Sequence, residues 1–158
     1  MNCHAEPEQT VCELESCYRE YIGKFRTIQA GATIQDSFAG WMGGGKIKEQ
    51  QNTLLKEYIE KVRGLVAQLC AAAEEFAPGE ISPWAERAAE IMLFYEEKNS
   101  DLVLALIAME ALAEPLIPLV EKEARVTLCQ RYQKRTPRHR MLPNQSKLLK
   151  YMKSSIQE

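Results

Sequence analysis

Apolar residues recur every three or four positions between Ile47 and Phe76, and this spacing constrains the fold more than any other feature of the chain. Such a repeat places the apolar side chains on one face of an α-helix and the charged ones on the opposite face. It predicts a long helix, roughly over 47–76, packed on a core. The apolar positions are Leu55, Tyr58, Ile59, Val62, Leu65, Val66, Leu69, Ala73 and Phe76.

A similar stripe predicts a first helix that ends near Gln29. Its start is open, because Thr10 and Glu13 have the spacing of a capping box and Pro7 suits an earlier first helical position. A third helix is expected after Ser82-Pro83, where a serine N-cap would precede a proline at the first helical position.

The segment 102–113 is apolar on nearly every side, which predicts the central helix of a bundle. Pro115 and Pro118 follow it closely. Proline lacks the backbone N–H of a helical turn, so these residues either kink one long helix or precede a new one. We favour a new helix that begins at about Glu114.

No stretch shows the two-residue alternation of a strand, and 158 residues suit one domain. The predicted fold is all-α, a helical bundle of four to five principal helices with a basic, partly flexible C-terminal tail. Residues 1–130 would form an acidic bundle with a short Gly-rich connector over 30–46. Residues 131–158 would form a basic linker and a short amphipathic helix.

The formal charge of −2 conceals two regions of opposite sign. Residues 124–157 contain nine Lys or Arg and no Asp or Glu, which leaves −10 for residues 1–123 once Glu158 is counted. Four interpretations of this cationic segment remain open. It binds nucleic acid, it binds an acidic protein or membrane surface, it docks on the acidic bundle of the same or a neighbouring chain, or it is a solvated tail with no binding role.

The expected location is the cytoplasm, with no transmembrane segment. No apolar stretch follows the N-terminus, and the longest apolar run, 102–109, is much shorter than the roughly 20 residues that cross a bilayer. Five cysteines leave at least one unpaired, and Cys70 lies on an apolar stripe, so reduced thiols are favoured over a disulfide framework.

Residues 40–46 match G-x-x-x-x-G-K, the spacing of a phosphate-binding loop. Ile47 stands where that motif needs Ser or Thr, and no parallel sheet is predicted, so a glycine-rich helix end is favoured. The adjacent Trp41 and Met42 remain candidates for a partner-binding lip.

Metal and catalytic chemistry are not predicted. Cys3, His4, Cys12 and Cys17 lack the close cysteine pair typical of zinc sites, and neither of the two histidines follows a Glu by three, as di-iron bundles require. No nucleophile lies in a recognisable catalytic motif. We therefore expect no enzyme activity, no cofactor and no metal site.

The first functional hypothesis is a helical-bundle adaptor or chaperone-like protein that acts by protein–protein interaction or self-association. The alternative is a nucleic-acid-binding protein that uses the basic segment 125–153. The candidate partner-binding residues are Trp41, Met42, Arg131, Tyr132, Lys134, Arg135, Arg138, Arg140, Lys147, Lys150 and Lys153.

Overall fold

The computed structural model describes residues 6–39, 45–96, 99–136 and 140–157, with side chains throughout except at 32–39 and 45. These residues form six principal α-helices and one 3-10 helix, and none of them lies in a strand. The predicted helical bundle is confirmed, with six helices in place of four to five. The helices are α1 (Pro7–Ala39), α2 (Gly45–Ala72), α3 (Pro78–Leu93), α4 (Ser100–Glu110), α5 (Lys122–Arg135) and α6 (Pro143–Gln157), and the 3-10 helix is Ala111–Leu119.

Helices α1 and α2 pack together along the apolar stripes that the sequence predicts. Tyr21 and Tyr58 are fully buried, and their ring centroids lie 5.2 Å apart at an interplanar angle of 55°. Phe25 adds a second tilted ring contact to Tyr21. Pro7 is the first helical residue of α1, and Thr10 lies inside the helix with its hydroxyl donating to the Glu6 carbonyl.

The predicted break between the first helix and the connector over 30–46 is absent, because α1 continues through residues 30–39. Gly31 costs about 1 kcal/mol relative to alanine in a helix, which is not enough to end one in the absence of proline. The side chain of Gln29 exchanges hydrogen bonds with Asn99, which caps α4, so α1 is tied to the bundle at this level.

Helix α3 begins at Pro78, and the predicted start at Ser82-Pro83 is wrong. Pro78 occupies the start of the helix, where its missing N–H has no partner to lose. Ser82 is buried, and its hydroxyl accepts a hydrogen bond of 2.8 Å from the backbone N–H of Glu121 just before α5.

Helix α4 and the 3-10 helix form the centre of the bundle, where Leu102, Leu106 and Met109 are at most 1% exposed. Pro115 and Pro118 lie inside the 3-10 helix, and the next α-helix begins at Lys122 and not near Glu114. The two prolines lack N–H groups for α-helical bonding, which accounts for the tighter helix in this segment.

The stretch Ser100–Leu119 is long and apolar enough to cross a membrane by length and composition alone. The central helix of a bundle meets the same two criteria. In this fold Leu102, Leu106 and Leu116 pack inside the protein with no exposed surface, and Glu110 lies buried in the middle of the stretch.

Helices α5 and α6 form an antiparallel pair, called here the C-terminal hairpin. Arg125 near the start of α5 donates a hydrogen bond of 2.9 Å to the carbonyl of Ser155 near the end of α6. The exposed linker predicted from Arg131 differs from the structure, because α5 continues to Arg135 and Tyr132 is fully buried.

Candidate functional site

Helix α6 presents three lysines on one side and buries apolar residues on the other. Pro143 is its first residue, and the N–H of Leu142 donates to the side-chain oxygen of Gln145 across 3.1 Å, as in one half of a capping box. Leu148, Leu149 and Met152 are at most 4% exposed. The opposite side carries Lys147, Lys150 and Lys153, which we call the lysine face.

The lysine face borders a shallow groove of about 390 Å³. Met141, Pro143 and Leu149 supply apolar surface to this groove, and the three lysines and Ser146 line it as well. We call it the lysine groove. Its surface combines three positive charges with aliphatic groups, so it can contact carboxylates and an apolar side chain together.

Three of the basic side chains in the predicted cationic segment are engaged within the molecule. Arg131 lies 4.1 Å from the ring centroid of Phe94 and 3.5 Å from the carboxylate of Glu90. Arg135 lies 4.1 Å from the ring centroid of Tyr95 and donates to backbone carbonyls of Leu93 and Tyr95. Arg125 holds α6, as described above.

The other predicted partner-binding residues divide into three groups. Lys134 and Arg140 are exposed, and neither they nor the lysine face form an ion pair with any other described residue. Tyr132 is fully buried, so its ring is not available for base stacking. Trp41, Met42 and Arg138 lie outside the described residues.

A buried carboxylate joins the C-terminal hairpin to the rest of the bundle. Glu110 has no exposed surface, and its Oε2 accepts hydrogen bonds from the Tyr95 hydroxyl at 2.8 Å and from Gln145 Nε2 at 3.1 Å. The guanidinium of Arg135 lies 3.7 Å from Oε1. Asn144 adds a hydrogen bond of 3.1 Å to the carbonyl of Ile107 in α4.

The surroundings of Glu110 favour its neutral form. Burial raises the pKa of the Glu110 carboxyl, and the hydrogen bond from Tyr95 and the charge of Arg135 offset only part of that effect. Burial, followed by the nearby carboxylate, also raises the pKa of Tyr95 and of Tyr132. The two tyrosines therefore stay protonated at neutral pH. Of these three residues, Glu110 is the one that loses its proton at a lower pH than the tyrosines do.

Sequence reasoning missed Glu110, Tyr95 and Gln145 as the residues that hold the basic segment in place. One signal was present, since Glu110 is an acidic residue inside a stretch that is apolar on nearly every side. A buried acid needs hydrogen-bond donors, and these come from residues 15 and 35 positions away. Their identity depends on the tertiary fold.

A second groove, of about 570 Å³, is lined by residues of α2, the 3-10 helix and α6. Its surface is mostly apolar. Arg63 and Glu114 lie at its edges with opposite charges. The apolar side chains that line it are Val66, Ala67, Cys70, Ala111, Leu112, Pro115 and Tyr151.

Within the ranges that the structure describes, no three His, Cys, Asp or Glu side chains lie close enough to hold a metal ion. Of the four residues weighed for zinc, Cys12 is exposed, Cys17 is buried, and Cys3 and His4 lie outside those ranges. No protein-family model, curated protein or solved structure matches this chain, so its function is argued from its own residues.

Proposed function

We propose that this chain is a non-enzymatic binding protein that docks another protein on the basic side of its C-terminal hairpin. The observation that carries the proposal is the lysine face, where Lys147, Lys150 and Lys153 lie along one side of α6 without an acidic partner among the described residues. Like charges placed close together are an electrostatic cost in the free protein, and an anionic partner relieves it.

The anchoring of the hairpin supports this function. Apolar packing and the Glu110 contacts hold α6 on the bundle, so the three lysines are displayed on a rigid helix. A rigid display lowers the ordering cost of binding. A protein partner engages this surface without α6 having to unfold.

The apolar side of α6 is not a second docking surface in the folded molecule. Leu148, Leu149 and Met152 already pack against the molecule's own core. A partner could reach them only after the hairpin separates from the bundle. The lysine face needs no such rearrangement.

Nucleic acid is the second candidate, favoured by the absence of Asp and Glu between residues 124 and 157. Binding to phosphates would give a steep dependence on salt, because each neutralised phosphate of duplex DNA releases about one counterion. An acidic protein surface has a lower charge density than duplex DNA, so it condenses fewer counterions and gives a weaker dependence.

The test compares fluorescent poly-L-glutamate with a fluorescent oligonucleotide as probes of the full-length protein, measured by anisotropy. Reversing all three charges (Lys147→Glu, Lys150→Glu, Lys153→Glu) should weaken poly-L-glutamate binding by about tenfold or more. The matched control reverses three lysines of α2 (Lys46→Glu, Lys48→Glu, Lys56→Glu), which changes the net charge equally. It should leave most of the binding intact.

Equal losses in the two triple variants would contradict the proposal, because net charge and not the lysine face would then explain binding. Tighter binding of the oligonucleotide, with a steep salt dependence that the α6 variant removes, would replace it with the nucleic-acid function. Sedimentation of the same variants tests self-association. A dimer that only the α6 variant dissociates would identify the partner as the acidic surface of a second copy.

A further inference from the structure

The lysine groove has a geometry that restricts its partner further. Lys147, Lys150 and Lys153 are three residues apart, so their backbone positions advance by about 4.5 Å at each step along the helix axis. The exposed Pro143 and the half-buried Met141 line the same groove, whereas Leu149 is only 4% exposed there. Charged and apolar contacts are therefore available within a single short site.

Apart from its positive charge, the lysine groove lacks the contacts that usually bind nucleic acid, above all aromatic rings for base stacking. Base stacking needs an exposed aromatic face, but Arg131 and Arg135 cover the rings of Phe94 and Tyr95, and Tyr132 is buried. Tyr151 lines the other groove and not this one. Among the described residues, the lysine groove thus contains no stacking platform.

The hydrogen-bonding groups of the lysine groove also favour carboxylates over nucleic acid. Guanidinium groups bind phosphates and guanine edges through two parallel hydrogen bonds, which an ammonium group cannot imitate. Arg125, Arg131 and Arg135 use their guanidinium groups in contacts within the protein, and the exposed Arg140 does not line the groove. The groove is left with lysines, which are point charges that accept carboxylates in many orientations.

We infer that the lysine groove binds an acidic segment of another protein that inserts an apolar side chain between its carboxylates. This inference rests on the proposed function and adds the chemistry of the partner. The carboxylates would lie against Lys147, Lys150 and Lys153, and the apolar side chain against Met141 and Pro143. The aliphatic stems of the lysines would extend the apolar contact.

The experiment uses the full-length protein and two synthetic fluorescent peptides of equal length and charge. In one peptide leucines are spaced between glutamates, and in the other serines replace the leucines. We expect the leucine peptide to bind about tenfold more tightly, which is the effect of burying one such side chain. Met141→Ser should reduce that preference about threefold to fivefold, because Met141 supplies part of the apolar contact.

Leu142→Ser is the matched control. Leu142 is also an exposed apolar residue, 39% accessible, but it does not line the groove. Serine is a favourable residue at this N-cap position, so the variant should fold and keep the full preference for the leucine peptide.

Three outcomes overturn the inference in distinguishable ways. Equal binding of the two peptides, with the α6 charge reversal still harmful, would retain the proposed function and remove the apolar side chain from it. Tighter binding of an oligonucleotide of equal charge would replace the acidic segment with nucleic acid. No binding of either peptide or of poly-L-glutamate would remove both the inference and the proposed function.

Discussion

The hydroxyl of Tyr95 donates a hydrogen bond of 2.8 Å to the carboxylate of Glu110, a residue with no exposed surface. Arg135 contacts both residues, because its guanidinium stacks on the Tyr95 ring and lies 3.7 Å from the same carboxylate. The end of α3, the end of α4 and the end of α5 therefore meet at one acidic group. Gln145 brings the start of α6 to the same point.

Replacing Glu110 should change how stability depends on pH. Burial raises the pKa of Glu110, so the folded protein binds this proton more tightly than the unfolded chain does. Its contribution is complete below the ordinary glutamate pKa of about 4.3 and is lost as the pH rises through the folded value. In Glu110→Gln the free energy of unfolding should fall less over that range, as measured by urea unfolding at a series of pH values.

Glu123→Gln is the control for that experiment, because Glu123 is an exposed carboxyl group on α5. Its stability should follow that of the unsubstituted protein at each pH. Parallel curves for Glu110→Gln and the unsubstituted protein would show that Glu110 carries no shifted proton.

Tyr95→Phe should lower the free energy of unfolding by about 1–2 kcal/mol, because it removes a hydrogen bond to a buried carboxylate and keeps the ring under Arg135. Tyr21→Phe provides the comparison. The Tyr21 hydroxyl is buried and makes no hydrogen bond with the described residues, so its removal should change stability by less than about 0.5 kcal/mol. Chemical denaturation of both variants would check this, and equal losses would be inconsistent with the geometry described here.

Arg135→Lys should cost about 1–2 kcal/mol although it keeps the charge. Lysine cannot make the two backbone contacts to Leu93 and Tyr95 together with the stacking on the Tyr95 ring. Arg131→Lys should cost less than about 1 kcal/mol, because the Arg131 side chain is 46% exposed and solvent screens its ion pair with Glu90. Thermal unfolding of the two variants side by side gives the comparison, and the reverse order would contradict it.

Met152→Ala should destabilise the protein by about 2–4 kcal/mol, since Met152 is 1% exposed and a smaller side chain leaves a cavity between α6 and the bundle. Ser154→Ala, at an exposed position of the same helix, should stay within about 0.5 kcal/mol of the unsubstituted protein. Urea unfolding distinguishes the two. A negligible effect of Met152→Ala would mean that α6 is not packed as the structure has it.

The helices of the first half were predictable because their apolar stripes are long and regular. Tyr21 and Tyr58 lie where the three- and four-residue spacing puts them, and burial of such a face does not depend on which partner covers it. Element ends were less predictable. Local sequence suggested breaks at Gln29 and at Ser82, but neighbouring packing and a tolerated glycine or proline let both helices extend further.

The C-terminal segment shows why composition alone was misleading there. The nine residues from Arg131 contain few apolar groups, which is typical of an exposed linker. Arg135 is nevertheless held by Glu110 and Tyr95, which lie far away in the sequence, and Tyr132 is buried in the core. The amphipathic helix after this segment was predictable from its own spacing, but the groove beside it was not, because Met141 precedes the helix.

The buried position of Glu110 also determines the register of α6. The apolar contacts of Leu148, Leu149 and Met152 could be made at more than one offset along the bundle, since aliphatic side chains have no directional preference. A shift of one helical turn, about 5.4 Å, would move Gln145 out of hydrogen-bonding distance of the carboxylate and leave a buried acid with fewer donors. The buried carboxyl group of Glu110 thus sets the positions of Lys147, Lys150 and Lys153 on the protein surface.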